Sequence, residues 1–288
     1  MEQIKKGHKG KEKGENMDIK RVTSALLGFP LVVIILTFGN KYVVDIFLSF
    51  IAMLGMQEYF NAVSKEAKPV RWVGYAICLL VALIHIVPDN LNVQLQSEVL
   101  MLIIPTILLI LFLHIIITNM KINFKDIAYT LFGIIYVIGC IVFLALLRGI
   151  PNGRLLIWYA IIAAWGTDIF AYLIGKKFGK HKFSEVSPKK SIEGCIAGII
   201  GAVVIAILYT LAINRIFDLQ YSYLLVVIVT AVLSIIGQVG DFAASSIKRY
   251  VNIKDYSNLI PGHGGMLDRI DSLMFLAPFA YVLLMIAL

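Results

Sequence analysis

The chain has 288 residues, 59% of them hydrophobic and only 15% charged, with a formal net charge of +8. Soluble globular domains carry about 25% charged residues, so this composition excludes one. The apolar runs reach about 20 residues and lack two-residue alternation, which specifies an all-α fold, a polytopic helical bundle in a membrane, and not a barrel.

In chain order, residues 1–20 form a basic tail, Lys/Glu/Gly-rich over Met1–Asn16 and expected to be disordered, with a more ordinary start at Met17. Residues 21–288 are expected to form one transmembrane domain. Its nine helices are predicted at about 22–39, 42–63, 70–88, 97–118, 126–147, 155–175, 192–213, 221–244 and 266–288. Breakers separate them: Gly39-Asn40, Lys68-Pro69, Pro88-Asp89-Asn90, Asn119–Asn123 and Gly149–Gly153. The first run follows a basic tail and has no small-residue cleavage site, so no cleavable signal peptide is expected. Cys78, Cys140 and Cys195 lie in apolar runs without CxxC spacing and read as small core residues.

Charge orients the bundle. With the N-terminus and the loops after helices 2, 4, 6 and 8 on one side, that side holds 22 of the 26 Lys and Arg residues. The other side holds only Lys41, Arg148, Arg154 and Arg215. This asymmetry predicts a cytoplasmic N-terminus, an odd helix count and an extracytoplasmic C-terminus. The positive charge is thus a topology signal, and no nucleic-acid partner is expected.

Four acids stand at the cytoplasmic ends of predicted helices: Asp168, Asp241, Asp268 and Asp271. Charge at membrane depth is costly and marks functional sites. Asp268 and Asp271 are spaced i, i+3 on one helix face, and Asp241, Ser245 and Lys248 form one stripe if helix 8 runs on. Asp168, Tyr172, Gly175 and Gly179 repeat similarly, and the glycines admit a close neighbour, helix or ligand. Bland readings stand beside these. Asp268 would suit a helix N-terminus through the dipole alone, Asp241 could be a cap, and Asp168 could pair with Lys176 or Lys180. Lys176, Lys177 and Lys182 fit a topology signal facing anionic lipid.

Two polar loops adjoin the acids. Lys189 and Lys190 follow Ser187-Pro188 and precede Ser191 and Glu193 at the start of helix 7, an arrangement suited to phosphate. His263, Gly264 and Gly265 lie in Pro-Gly-His-Gly-Gly, which reads as a phosphate-binding loop or as a plain tight turn; His263 has no second His nearby for zinc. Mg²⁺ commonly takes one or two carboxylates together with substrate phosphates, a role that Asp241, Asp268 and Asp271 fit. Lys248, Arg249, Lys254 and Arg269 would neutralise the remaining phosphate charge. No Walker loop, kinase loop or Ser-His-Asp set is present, so metal-assisted phosphoryl or nucleotidyl transfer is the expected chemistry.

Ser245–Asp271 resembles the signature of the phosphatidate cytidylyltransferases, also called CDP-diacylglycerol synthases, of bacterial type. The matching residues are Ser245, Ile247, Lys248, Arg249, Lys254, Asp255, Ser257, Ile260, Pro261, His263, Gly264, Gly265, Met266, Asp268, Arg269 and Asp271. A second block is similar through Asp168, Ala171, Tyr172, Gly175 and Ser187–Gly194, with Ser191 where Thr is usual. The first five helices match only in hydrophobicity.

The resemblance implies condensation of CTP with phosphatidate to give CDP-diacylglycerol and pyrophosphate. It implies a multi-pass plasma-membrane enzyme with a cytoplasm-facing site and a two-cation centre, magnesium with a monovalent ion such as K⁺. Asp241, Asp268, Asp271, Lys248 and Arg249 would be catalytic, the three acids as metal ligands. Ser187, Lys189, Lys190, Ser191, Glu193, Ser245, Lys254, Asp255, His263, Gly264, Gly265, Arg269 and Asp168 would serve substrate binding, Asp168 and Glu193 by positioning lysines or the second cation. Partners are CTP, phosphatidate and membrane lipid, with a homodimer left open. Rival readings are the same chemistry on another lipid, as in CDP-archaeol synthases or polyprenol kinases, and a cation-coupled transporter.

Overall fold

The computed structural model describes residues 26, 28–83, 93–184, 187, 190–260, 262 and 264–288, with side chains 93–101 excepted. The tail 1–20, Lys189 and His263 lie outside the described residues. Among those described there are nine helices and no strand: α1 Gly28–Phe38, α2 Lys41–Val63, α3 Arg71–Val81, α4 Val93–Ile117, α5 Phe124–Gly149, α6 Gly153–Phe178, α7 Ile192–Phe217, α8 Tyr223–Tyr250 and α9 Leu267–Ala287. Helices α2 and α5 to α9 are each long and apolar enough to cross a membrane. Large apolar side chains such as Leu224, Ile216 and Ile286 stay exposed on the outside, as a lipid-facing surface requires.

Polar side chains start the helices where the sequence has breakers. Asn40 Oδ1 accepts from the Val43 N–H at 2.9 Å to cap α2. Asn123 and Asp126 form a reciprocal capping box on α5. Ser191 Oγ accepts from the Gly194 N–H at 3.1 Å to cap α7. The loop before α7 is tied back by a bridge between Lys182 and Ser191.

Two features depart from the expected spans. Helix α8 does not stop at Asp241 or near residue 244; it continues to Tyr250. Residues 242–250 contain no Gly or Pro, so nothing ends the helix when it leaves the apolar run. Asp241, Ser245 and Lys248 therefore do share a continuous stripe. Helices α5 and α6 are also not uniform. Each contains a wider π segment, Ile134–Gly139 and Ile162–Gly166, and the second ends one residue before Thr167 and two before Asp168. Such an insertion shifts the phase of everything beyond it and is frequent beside functional sites.

Small residues set the helix spacing around the acids. On α7, Gly194 and Gly198 face Ala171 and Thr167 of α6, so that a β-carbon at Gly198 would stand 2.8 Å from the Thr167 carbonyl oxygen. Gly175 of α6 lies against Ser191 and Gly194 in the same way. The close neighbour admitted by Gly175 and Gly179 is therefore helix α7 and its cap, while Tyr172 of that stripe is exposed. Gly237 and Gly240 let α8 approach Ser272 and the Asp271 carbonyl of α9. Without a hydrophobic driving force in lipid, this close backbone packing is what holds helices together.

Gly198→Val is expected to destabilise the protein by about 1–3 kcal/mol through overpacking against α6. Thermal unfolding of the detergent-solubilised protein checks this; an unchanged midpoint would show that the α6–α7 seam can open without cost.

Candidate active site

The first turn of α9 carries an acid whose side chain is almost wholly buried. The Asp268 side chain is 3% exposed and its partner Lys248 is 12% exposed. Asp268 Oδ1 accepts from Lys248 Nζ at 2.7 Å, and Oδ2 accepts from the N–H groups of Tyr256 at 2.8 Å and Gly265 at 3.0 Å. One carboxylate thus gathers α8, the following loop and the start of α9. Lys248 also sits 5.4 Å from the centre of the Tyr256 ring, and burial pushes the Tyr256 phenol above its ordinary value. The dipole explanation for Asp268 is too small, because the acid has three donors, from α8, from the following loop and from the residue before the N-cap of α9.

Lys190 is the second hub. It makes an ion pair with Asp241 on α8 and lies 4.8 Å from the centre of the Phe242 ring, which stacks on Phe183. Burial pushes the Lys190 ammonium down, while the charges of Asp168 and Asp271 pull it back up. Asp271 is 6% exposed, and its Oδ1 accepts from the Ser272 N–H at 2.8 Å. Ser272 Oγ in turn donates to Asp168 Oδ2 at 3.3 Å. Asp168 is therefore tied to α9 and stands within the field of Lys190; among the described residues no ion pair links it to Lys176 or Lys180.

The structure brings Asp168, Asp241, Asp268, Asp271, Lys190 and Lys248 into one cluster where α6, α8 and α9 meet. Ser245 is half-buried on the same α8 stripe, and Ser187 is half-buried in the loop before α7. Arg249, Lys254, Asp255 and Arg269 are exposed at the rim. Ser191 is spent on capping α7. Glu193 fastens the preceding loop: its Oε1 is 2.6 Å from His181 Nδ1, and its Oε2 accepts from the Lys180 N–H at 3.2 Å.

The glycine loop is a tight turn. Gly262 and Gly264 have φ of 78° and 90°, a region other residues rarely adopt. Gly264 exchanges two backbone hydrogen bonds with Ile260, at 2.8 and 3.1 Å, and the Gly265 N–H is taken by Asp268. The N–H groups of Gly264 and Gly265 are therefore taken by Ile260 and Asp268.

Among the described residues, no three His, Cys, Asp or Glu side chains are close enough to form a metal site on their own. The donor set still suits one. Four carboxylates and two ammonium groups meet in the cluster, so its candidate ligands are oxygen donors. Hard divalent cations bind such donors and complete their shell with substrate phosphates.

Sequence reasoning passed over Glu58. This residue of α2 is 5% exposed and accepts from Ser257 Oγ at 2.5 Å, the Met266 N–H at 2.9 Å and the Leu267 N–H at 2.7 Å. The signal was available, since it is a carboxylate inside an apolar run, the same anomaly that exposes Asp241.

The sequence model of the cytidylyltransferase family matches residues 19–287. A protein of Bacillus subtilis (strain 168) named phosphatidate cytidylyltransferase is 37% identical over 178 residues, covering 61% of this chain and 65% of that protein. Proteins of the same name from Staphylococcus haemolyticus (strain JCSC1435) and Staphylococcus aureus (strain COL) are 31% and 32% identical, each covering 92% of this chain and 98% of the relative. The similarity thus reaches well beyond the region Asp168–Asp271 and includes the first five helices, which hydrophobicity alone had obscured.

Lys248→Met leaves Asp268 buried without its cation and is expected to cost about 3–5 kcal/mol of stability. The double variant Lys248→Met/Asp268→Asn should recover part of that loss. Thermal unfolding of the four proteins of this cycle provides the check, and strictly additive losses would show that the two side chains are not coupled.

Proposed function

The chain belongs to the cytidylyltransferase family, and on that basis we propose that it condenses CTP with phosphatidate to give CDP-diacylglycerol and pyrophosphate. The observation that carries this reading is the cluster of paired lysines and carboxylates at the meeting point of α6, α8 and α9. The names of the relatives that align along their whole length support the choice of substrates.

The reaction joins two anions. A phosphate oxygen of phosphatidate attacks the α-phosphorus of CTP; a new P–O bond forms, the bond from the α-phosphorus to the oxygen bridging it to the β-phosphorus breaks, and pyrophosphate leaves with that electron pair. Phosphatidate is already ionised near neutral pH, so a strong general base is not required. The barrier lies in bringing like charges together and stabilising the leaving group, which is work for fixed positive charge. Lys248, held at 2.7 Å by Asp268, is a pre-aimed ammonium that spends no reorganisation when phosphate arrives. Lys190 is held by Asp241, and a substrate phosphate that takes that partner's place would keep the buried ammonium paired with an anion. Arg249, Lys254 and Arg269 at the rim draw in the triphosphate.

Asp241, Asp268 and Asp271 would hold magnesium, with a monovalent cation such as K⁺ beside it. Bound there, magnesium supplies charge neutralisation between the two phosphates and the leaving pyrophosphate. The charge asymmetry of the loops supports a site at the cytoplasmic face of the plasma membrane, where CTP is available and the headgroup of phosphatidate sits.

Purified protein given CTP, phosphatidate and Mg²⁺ is expected to release pyrophosphate and form CDP-diacylglycerol, and chelation of divalent ions should abolish both. Turnover that persists after chelation, or that proceeds without the lipid, defeats the proposal. Asp271→Asn should lower turnover by at least about 10²-fold while the protein stays folded. Lys182→Ala should leave activity unchanged, because Lys182 holds its loop through the backbone and its side chain is exposed.

A further inference from the structure

Glu58 lies outside the signature and none of the chemistry above uses it, yet its surroundings are as constrained as those of Asp268. Its helix neighbours Met56, Tyr59 and Phe60 are all fully buried. A carboxylate in such a place is tolerated only where strong donors satisfy it. The donors come from more than 195 residues away in the chain: Ser257 Oγ, Met266 N–H and Leu267 N–H.

The two N–H groups belong to the start of α9, where the first turn has no intrahelical acceptors. Met266 occupies the N-cap position and offers no side-chain oxygen, so α9 has no cap of its own. Glu58 supplies one from a different helix, with its negative charge at the positive end of the α9 dipole. Gly265 makes room for it: a β-carbon there would lie 2.7 Å from one Glu58 oxygen and 2.8 Å from the other. The Gly265 N–H is meanwhile bound to Asp268. The segment Gly265–Leu267 is thus gripped from one side by Glu58 and from the other by Asp268. Asp268 and Asp271 follow within the next turn.

We propose that Glu58 is a positioning residue for nucleotidyl transfer: from α2 it caps α9 and fixes where Asp268 and Asp271 stand. This rests on the reaction proposed above. It gives the N-terminal half of the bundle a role in the site, carried through α2 into the first turn of α9. It also explains the need for glycine at 265 by close approach of a carboxylate and not by backbone conformation alone.

Glu58→Gln is the direct test. Its amide nitrogen would face N–H donors whichever way it turns, so at least one contact is lost while size is kept. In the folded variant kcat is expected to fall on the order of tenfold or more, since small displacements of reacting groups cost about 10²-fold. KM for phosphatidate should change less than about twofold, and amide hydrogen exchange should quicken at Met266 and Leu267 while the middle of α9 stays protected. A purely structural residue would lower the unfolding midpoint but leave the kcat of the folded fraction at the wild-type value. Ser257→Ala removes a single donor and is expected to lower kcat by a few-fold, roughly one hydrogen bond's worth, and it carries the test if Glu58→Gln does not fold. Wild-type kcat in every folded variant overturns the proposal. A wild-type protein with no turnover of CTP and phosphatidate overturns the reaction itself, and that failure is read before any variant is made.

Discussion

Everything in this site follows from the cost of placing carboxylates where water is scarce. An unpaired buried charge costs several kcal/mol, and removing one member of a buried pair costs about 3–5 kcal/mol. Asp268 meets that demand with Lys248 and two backbone N–H groups, and in doing so ties Tyr256 and Gly265 to the end of α8. Asp241 meets it with Lys190, which brings the loop before α7 onto α8. The loops have the shapes they have because their donors are needed at particular oxygens. The same pairs hold the ammonium groups of Lys190 and Lys248 in fixed positions.

These pairs form only because the helices come close. Gly194 and Gly198 seat α7 on α6, and Gly237 and Gly240 seat α8 against α9. Side chains at these positions would push apart the ends from which Asp168, Lys190, Asp241 and Asp271 converge. The π segment at Ile162–Gly166 shifts the helix phase just before Thr167 and Asp168, and the acid accepts a hydrogen bond from Ser272 of α9.

Much of this was legible from residues alone. Among the described residues, long apolar runs and their breakers located most helix ends to within a few residues, because bilayer thickness leaves little freedom in span length; α8 overran its expected end, and the expected start at 22 and end at 88 lie outside the described residues. The four acids were marked by their cost in an apolar context, and the spacing of Asp241, Ser245 and Lys248 foretold the stripe that α8 presents. Other features had no local signature. The π segments arise from packing and not from composition. The pairing of the Gly264 and Gly265 N–H groups depends on Ile260 and Asp268 being near, which spacing cannot reveal. Whether Gly175 faces a ligand or a helix was open until Ser191 and Gly194 were seen beside it. Glu58 is a different case. The rule that singled out Asp241 applied to it equally, but it lies far from any recognisable motif, and its donors are brought to it only by the tertiary fold.

The bond from Glu58 to the head of α9 joins the second helix of the bundle to the ninth. A nascent chain enters the bilayer from its N-terminal end, so α2 is in place long before the residues that satisfy its acid have left the ribosome. Until then Glu58 lacks the Ser257, Met266 and Leu267 donors that satisfy it in the folded protein. The contact that fixes the head of α9 thus needs both halves of the bundle, which makes it a late step of assembly.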